Sequence, residues 1–447
     1  MLFRSIRTDL TAKESQISSK AFTSSNIDQL LTTFEGEIRD ILLFVRSVTK
    51  ISISRIENNR LVRRYEAAAT ISITDVPKIH ALDAEVMRCR NLKTNSIPWF
   101  GITYTNTIQD TLGRREEWLI YQCLGSRMHG EKPVIPEGSE YGLLPRAAVA
   151  TRVATNDTPS RRRRSFSEHK TNQASKTHRA FCFLPLPVET GLPVQVNGQF
   201  ILDNSRRNLW KDEGGQGQRT QWNNFIKNHV LAPAYAELIV SARACIPGIS
   251  QGDPWYFDRI TDSTSGLKWY QSIFPDPESI HTEWKDIATT VYRLLASSNQ
   301  PVLPIIREEP PLIDVASPNR SFTKYSTRSV CPCFWVPPCS DKDDQQAFFS
   351  LLSIPDLEKL LLKVGVPIVN ASPKIYSNFK EATATVKAVS PDIVMAFLAK
   401  ATRYVDVLPC SIANTTFRHA SCLKLLMEYC MNEIGRASCR ERVLRLV

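Results

Sequence analysis

The chain has 447 residues, 42% hydrophobic and 23% charged, which is ordinary globular usage with room for a sizeable core and roughly two to four domains. Its longest apolar runs, such as residues 41–45, fall far short of the ~20 residues a membrane helix needs, and MLFRSIRTDL lacks the apolar region and cleavage site of a secretory signal. The net charge of +11 admits an anionic partner, but no helix face or aromatic-interleaved groove concentrates it, so nucleic acid is set aside.

Ser25-Asn26 can cap a helix running to about Ser47, with Ile27, Leu30, Leu31, Phe34, Ile38, Ile41, Leu42 and Val45 at helical spacing. Val48, Ile51, Ile53 and Ile56 then mark a strand, Glu57-Asn58-Asn59-Arg60 turns it, and a returning strand starts at Leu61. A second hairpin is expected from residues 101–109 and 117–124 around a turn at 110–115, and another strand at 143–154. These segments form an α+β unit over residues 1–154. Residues 155–179 are a polar linker carrying Arg161–Arg164, read as a solvated insertion or, alternatively, a basic phosphate-binding or localisation run.

A second α+β unit is expected over 180–307. It opens with two strand-like runs, 180–184 and 193–202, separated by Pro185, Pro187 and Gly191, with Asn197-Gly198 as a turn signal. A polar loop with Arg206 and Arg207 follows, closed by Leu209 and Trp210. Beyond a Gly/Gln-rich connector, a helix starts near Thr220 and should break or kink at Pro233. Trp255, Tyr256 and Trp269 sit in aromatic clusters in loop-like context, either a partner-binding surface or core packed beneath loops. A helix over 284–297 and a buried strand over 301–306 complete the unit.

A proline-rich connector over 308–344 precedes a mainly helical region, 345–433, with helices at 356–364, after Ser390-Pro391, and at 416–431, plus a short strand at 367–369. Eleven scattered cysteines without a signal fit reduced cytoplasmic thiols, and Cys331-Pro332-Cys333 with Cys339 lacks the paired spacing and histidines of a zinc site, so no metal is expected. The seven histidines show no partner spacing typical of a metal site, which argues against an enzyme with its own site.

From residue 180 the wording becomes specific. AFCFLPLPVETGLPVQVNGQFILDNSRRNLW (180–210) resembles the sacsin internal-repeat family. So do LFRSIRT (2–8), DILLFVRSVTKISI (40–53), GLLPRAAVA (142–150), WNNFIKNHVLAPAYAELI (222–239), PVLPII (301–306) and LLLKVGVPIV (360–369), in order over about residues 2–431. The resemblance implies a part of a very large cytoplasmic protein tied to chaperone function and to cytoskeletal and mitochondrial organisation. Each repeat of the family opens with an ATPase domain like that of the ninety-kilodalton heat-shock chaperone, and this chain reads as starting just after it. No D-x-G-x-G or G-x-x-G-x-G loop is present, so no cofactor is expected here, and ATP is implied only for that missing upstream domain. No J-domain H-P-D triplet or ubiquitin-like domain is recognised either. IGRASCRERV (434–443) resembles a read-through string, and 434–447 is expected to be non-native.

By the same resemblance, the segment after the nucleotide pocket lends a cation to the terminal phosphate. Arg206 and Arg207 are the candidates, and the alternative is that they pair with Asp203 or Asp212 and shape the loop. The implied partners are the upstream ATPase domain, other chaperones, and unfolded or cytoskeletal clients. The expected function is a non-catalytic module coupling that ATPase to client or partner binding, and the alternative is a passive scaffold repeat.

Overall fold

A computed structural model describes residues 23–91, 97–127, 142–153, 178–246, 255–257, 262–306, 331–338, 347–351 and 366–394, except 213, 215, 216, 299, 384 and 385, with isolated positions 358, 361, 428 and 429. The fold is α+β, built on an eight-stranded and a five-stranded sheet.

Helix α1 (Ser24–Phe44) begins two to three residues earlier than a cap at Ser25-Asn26 predicts. Thr23 is the cap: its Oγ accepts from the Asn26 amide at 3.3 Å, while Asn26 Oδ1 accepts from the Thr23 amide at 3.1 Å. The reciprocal pair satisfies two end donors, so Asn26 is the third helical residue rather than the cap. The apolar stripe of α1 divides. Ile38 and Leu42 are buried, whereas Ile27, Leu30 and Phe34 stay exposed.

β1 (Lys50–Glu57) and β2 (Arg60–Ile71) pair antiparallel around Asn58 and Asn59, whose φ of 49° and 60° make the left-handed turn that matches strand twist. Helix α2 (Val76–Asn91) follows, an element the strand-by-strand reading of this region passes over. Ile79, Leu82, Val86 and Cys89 recur at helical spacing and are buried. The second hairpin forms as the alternation predicts, with β3 (Phe100–Asp110) against β4 (Arg115–Leu124), and β5 (Arg146–Arg152) lies beside β4.

The sheet does not end there. β6 (Arg179–Cys182), β7 (Leu184–Glu189) and β8 (Gln195–Gly198) join it, in the order β1-β2-β3-β4-β5-β8-β6-β7. Strands from both sides of residues 154–177 therefore share one sheet, where two linked units were expected. The linker and its Arg161–Arg164 run lie outside the described residues. Asn197-Gly198 is not the turn predicted for it. Both residues lie in β8, paired with Ala148 and Ala147 of β5. The reversal occurs instead at Phe183, with φ 61°. Asn197 is buried and its Oδ1 accepts from the Phe183 amide at 2.8 Å, so the side chain holds the turn from the neighbouring strand. Gly191 makes a second necessary bend, since its φ is 72° and a Cβ there would sit 2.4 Å from the Ser279 carbonyl.

The central strands are buried on both faces. Along β4, Trp118, Ile120 and Leu124 enter the core beneath α1 and α2, while Leu119, Tyr121 and Cys123 enter the opposite core. The opposite face is covered by α3 (Gln218–Phe225), a π-helical turn (Ile226–Leu231), α4 (Ala232–Ala242) and α6 (Lys285–Ser297), with α5 (Asp262–Ser272) between them in sequence. Pro233 does not break the helix. The widened turn precedes it, and the His229 carbonyl four residues back accepts from the Arg127 amide at 3.1 Å. The bond a proline cannot make is thus replaced from outside the helix.

The second sheet has the order β12-β13-β10-β11-β9, from β9 (Trp255–Phe257), β10 (Leu303–Ile306), β11 (Cys331–Val336), β12 (Phe348–Phe349) and β13 (Ile368–Val369). Two expectations change. The connector 308–344 contributes β11, and the region expected to be mainly helical contributes β12 beside β13, the short strand expected at 367–369. β11 and β12 escape recognition because two to six residues complete no clear alternation. The region also contains α7 (Pro373–Ala382), capped by Ser372, whose hydroxyl accepts from the Ile375 amide at 3.4 Å. Ser390-Pro391 opens a helical turn as predicted, with the Val394 amide donating to the Ser390 carbonyl at 3.0 Å. The helices expected at 356–364 and 416–431, and the tail from 434, lie largely or wholly outside the described residues. Tyr292 and Phe379 pack edge-on at 4.8 Å, joining α6 to α7.

A buried ionic cluster fixes α1 to the sheet. Arg39 Nη1 donates to Glu116 at 2.6 Å, with both side chains nearly buried. Arg114 Nε and Tyr65 OH donate to Asp110 at 2.6 and 3.1 Å. Burial opposes the Asp110 charge, but the amide and guanidinium of Arg114 prevail and hold its carboxyl below the usual aspartate range. Glu116→Ala would leave Arg39 only the longer 3.9 Å contact to Asp110 and is expected to cost about 3 kcal/mol in chemical denaturation, whereas Arg64→Ala, at an exposed pair, costs less than about 1 kcal/mol.

Candidate functional site

The loop carrying Arg206 and Arg207 has a clamped base and a charged tip. At the base, the Trp210 amide donates to the Ile201 carbonyl at 2.8 Å, and Leu202 bridges Leu209. Asn223 of α3, almost wholly buried, then grips both ends of the loop. Its Oδ1 accepts from the Ile201 amide at 2.8 Å, and its Nδ2 donates to the carbonyls of Ile201 and Trp210 at 2.9 and 3.2 Å. Trp222 Nε1 donates to the Gln199 carbonyl at 2.8 Å, one step upstream. A buried amide making three bonds to two backbone segments specifies their separation closely.

At the tip, Asp203 organises the turn. Its carboxylate accepts from Ser205 Oγ at 2.8 Å, the Arg207 amide at 3.0 Å, and the Asn208 amide and side chain at 3.3 Å. These bonds, Ser205 foremost, hold its carboxyl below the ordinary aspartate range. The Arg206 amide donates to the Asp203 carbonyl at 2.9 Å, and Arg206 takes φ 56°, a conformation that disfavours side chains with a Cβ.

Asp203 and Asp212 were the alternative partners for the two guanidinium groups. Asp203 is committed to backbone amides and Ser205. Asp212 accepts from Trp210 Nε1 at 2.8 Å and Thr220 Oγ at 2.9 Å. Both arginine side chains are exposed, and neither forms an ion pair among the described residues. Arg206 lies near enough to the Cys182 thiol to act on it: burial pushes that thiol up, and the arginine charge works against the shift. An open recess of about 690 Å³ adjoins the loop, lined by Asp203, Asn208, Lys211, Glu283 and Trp284 among others, with the two arginines outside its lining.

The other predicted residues are placed apart from this loop. Trp255 and Tyr256 lie on β9, an edge strand of the second sheet. Trp269 lies on α5, half-buried against the core, with Nε1 donating to the Arg152 carbonyl at 2.6 Å. Its neighbour Tyr270 is fully buried and donates to the Val302 carbonyl at 2.9 Å. Both aromatic clusters are therefore in regular elements rather than loops. Cys331 and Cys333 lie on β11, and among the described residues no group of three or more His, Cys, Asp or Glu is placed to hold a metal. Sequence reading missed Asn223, whose only signal is a polar residue on an otherwise apolar helix face.

The chain is 28% identical to human sacsin over a 471-residue alignment covering 94% of this chain. That likeness supports a sacsin-like repeat region. The alignment covers 10% of sacsin, so the chain spans about a tenth of that relative's length. No family model matches the chain, and no solved structure matches it. The sacsin likeness runs through both sheets and includes the Arg206–Arg207 loop.

Two measurements check this geometry. Asn223→Leu is expected to cost about 1–3 kcal/mol and to speed hydrogen exchange at the Ile201 amide, because the loop base loses its buried partners. For Asp203, a folded carboxyl below its unfolded value means that the loop bonds persist above the unfolded value and are lost as pH falls through the folded one. The Arg207 amide resonance should therefore titrate with a midpoint below about 3.9, and Asp203→Asn should abolish the titration.

Proposed function

We propose that this chain is a non-catalytic module of a sacsin-like protein, coupling an ATPase domain elsewhere in that protein to client or partner binding. The observation that carries the reading is the loop at residues 203–208, where two exposed arginines sit on a turn whose base is fixed by Asn223 and whose tip is ordered by Asp203. A guanidinium presents several donors in a rigid fork suited to phosphate oxygens, and it stabilises charge that develops during phosphoryl transfer. Holding such a group on a prefixed loop avoids ordering it at the moment of use. The left-handed backbone at Arg206 supports the same reading, since strain retained at a charged residue is a recurrent mark of a functional loop. The nucleotide belongs to the ATPase domain that the sacsin likeness implies. Chaperones and unfolded or cytoskeletal proteins are the proposed partners, in the cytoplasm. Among the described residues no helix is long and apolar enough to cross a membrane.

The test is ATP turnover by the full-length natural polypeptide containing this segment. Arg206→Gln or Arg207→Gln is expected to lower turnover about tenfold or more with the fold intact. Unchanged turnover in both variants would sink the coupling and favour a passive scaffold repeat. Arg206→Gly separates the loop's two properties. It relieves the left-handed strain and should leave stability unchanged or raise it by up to ~1 kcal/mol, while still lowering turnover.

A further inference from the structure

An open pocket of about 650 Å³ lies on the α1–α2 side of the large sheet, away from the groups that organise the arginine loop. Three arginines from separate parts of the chain line it. Arg46 follows the C-terminus of α1, Arg90 sits in the last turn of α2, and Arg146 begins β5. Only one carboxylate, Asp83 of α2, shares the lining. Asp83 accepts from Arg46 Nη2 at 2.5 Å. Arg46 Nη1 is buried with no hydrogen-bond partner among the described residues. Arg146 spends its Nε and Nη2 on the Gln122 side-chain oxygen, at 3.0 and 2.7 Å with the amide turned to face it. Arg90 is exposed at the rim.

Three guanidinium charges against one carboxylate leave the lining two charges in excess. Burial first, then the charges of Arg46 and Arg90, bring the Arg146 pKa down to about 10, while Asp83 works against the shift. An orphaned buried N–H costs free energy unless a ligand or water accepts from it. Apart from Ser47 and His80, the rest of the wall is apolar, including Phe44, Ile79 and Val86, with Phe183 at the strained reversal. Phe183 follows Cys182, so the two ends of this short turn face different cations, Arg206 at one and the pocket arginines at the other.

We propose that this pocket binds a phosphate monoester, its dianionic group held by Arg46, Arg90 and Arg146 and its organic part lying against Phe183 and Ile79. A dianion matches the excess of two charges, and guanidinium groups bind phosphate oxygens with short, charge-assisted hydrogen bonds. The apolar wall distinguishes an esterified phosphate from the free ion, because burying an organic group adds roughly 25 cal/mol per Å² of apolar surface. The site needs neither Arg206 nor Arg207, and it stands or falls separately from the coupling proposed above.

The test is calorimetric titration of the whole chain with phenyl phosphate, inorganic phosphate and benzoate at matched ionic strength. Phenyl phosphate is expected to bind with a Kd of about 1 mM or tighter, inorganic phosphate several-fold more weakly, and benzoate weakest. Arg90→Gln, at an exposed position, should keep the fold and weaken phenyl phosphate about tenfold. Arg146→Gln should do the same, with circular dichroism confirming the fold. Arg207→Gln should leave binding unchanged. Three results would each overturn the proposal: no saturable heat with phenyl phosphate, benzoate binding as tightly as phenyl phosphate, or undiminished binding by folded Arg90→Gln.

Discussion

Everything else in this molecule depends on strands that are buried on both faces. In β4, successive side chains alternate between two cores, and β5 continues the pattern with Ala148 and Ala150 on one side and Ala147 and Val149 on the other. A strand in this position has no solvated face to lose, so every substitution is felt by one helical layer or the other. It also fixes register, since a slip of one residue would exchange the two cores entirely. The strands after residue 178 complete this sheet. Arg179 confirms the join from another direction, because its guanidinium binds both oxygens of Glu37 on α1 at 2.9–3.2 Å.

The same sheet explains why charge concentrates where it does. Apolar alternation fills the layers above and below the central strands, and the cations of both candidate sites stand at element ends and in the reversals between them. Arg146 stands at the first residue of β5, Arg46 just beyond α1, and Arg206 in a loop after β8. The buried polar residues Asn197 and Asn223 do similar work at different turns. Each uses a short amide to hold a backbone segment that has left the regular ladder.

Much of the large sheet was legible in the sequence. The paired asparagines at 58–59 and the alternation through 101–109 carry their own turn and strand signals, because each pattern follows from local backbone chemistry. Asn197-Gly198 misled for the same reason: its residues favour a tight turn, but pairing with β5 overrode that preference. Pro233 misled because the carbonyl that compensates it is satisfied by Arg127, over a hundred positions upstream in sequence. Of the candidate site, the exposed arginine pair could be read from residue types. Its supports could not, nor could the meeting of Arg46, Arg90 and Arg146, because long-range pairing alone brings those positions together.

The π-helical turn between α3 and α4 has a consequence for angular phase. A helix advances about 100° per residue, and a π turn accommodates one residue more than an α turn would. Asn223 lies on one side of that turn and Tyr235, whose hydroxyl donates to the Ile273 carbonyl at 2.6 Å, on the other. The extra residue therefore sets the rotation between the grip on the arginine loop and the anchor in the core shared by both sheets. Removing one residue from 226–231 would leave either grip individually possible, but the two could no longer face their partners together. The helix acts as a keyed shaft, cut so that the loop and the second sheet are held at one relative angle.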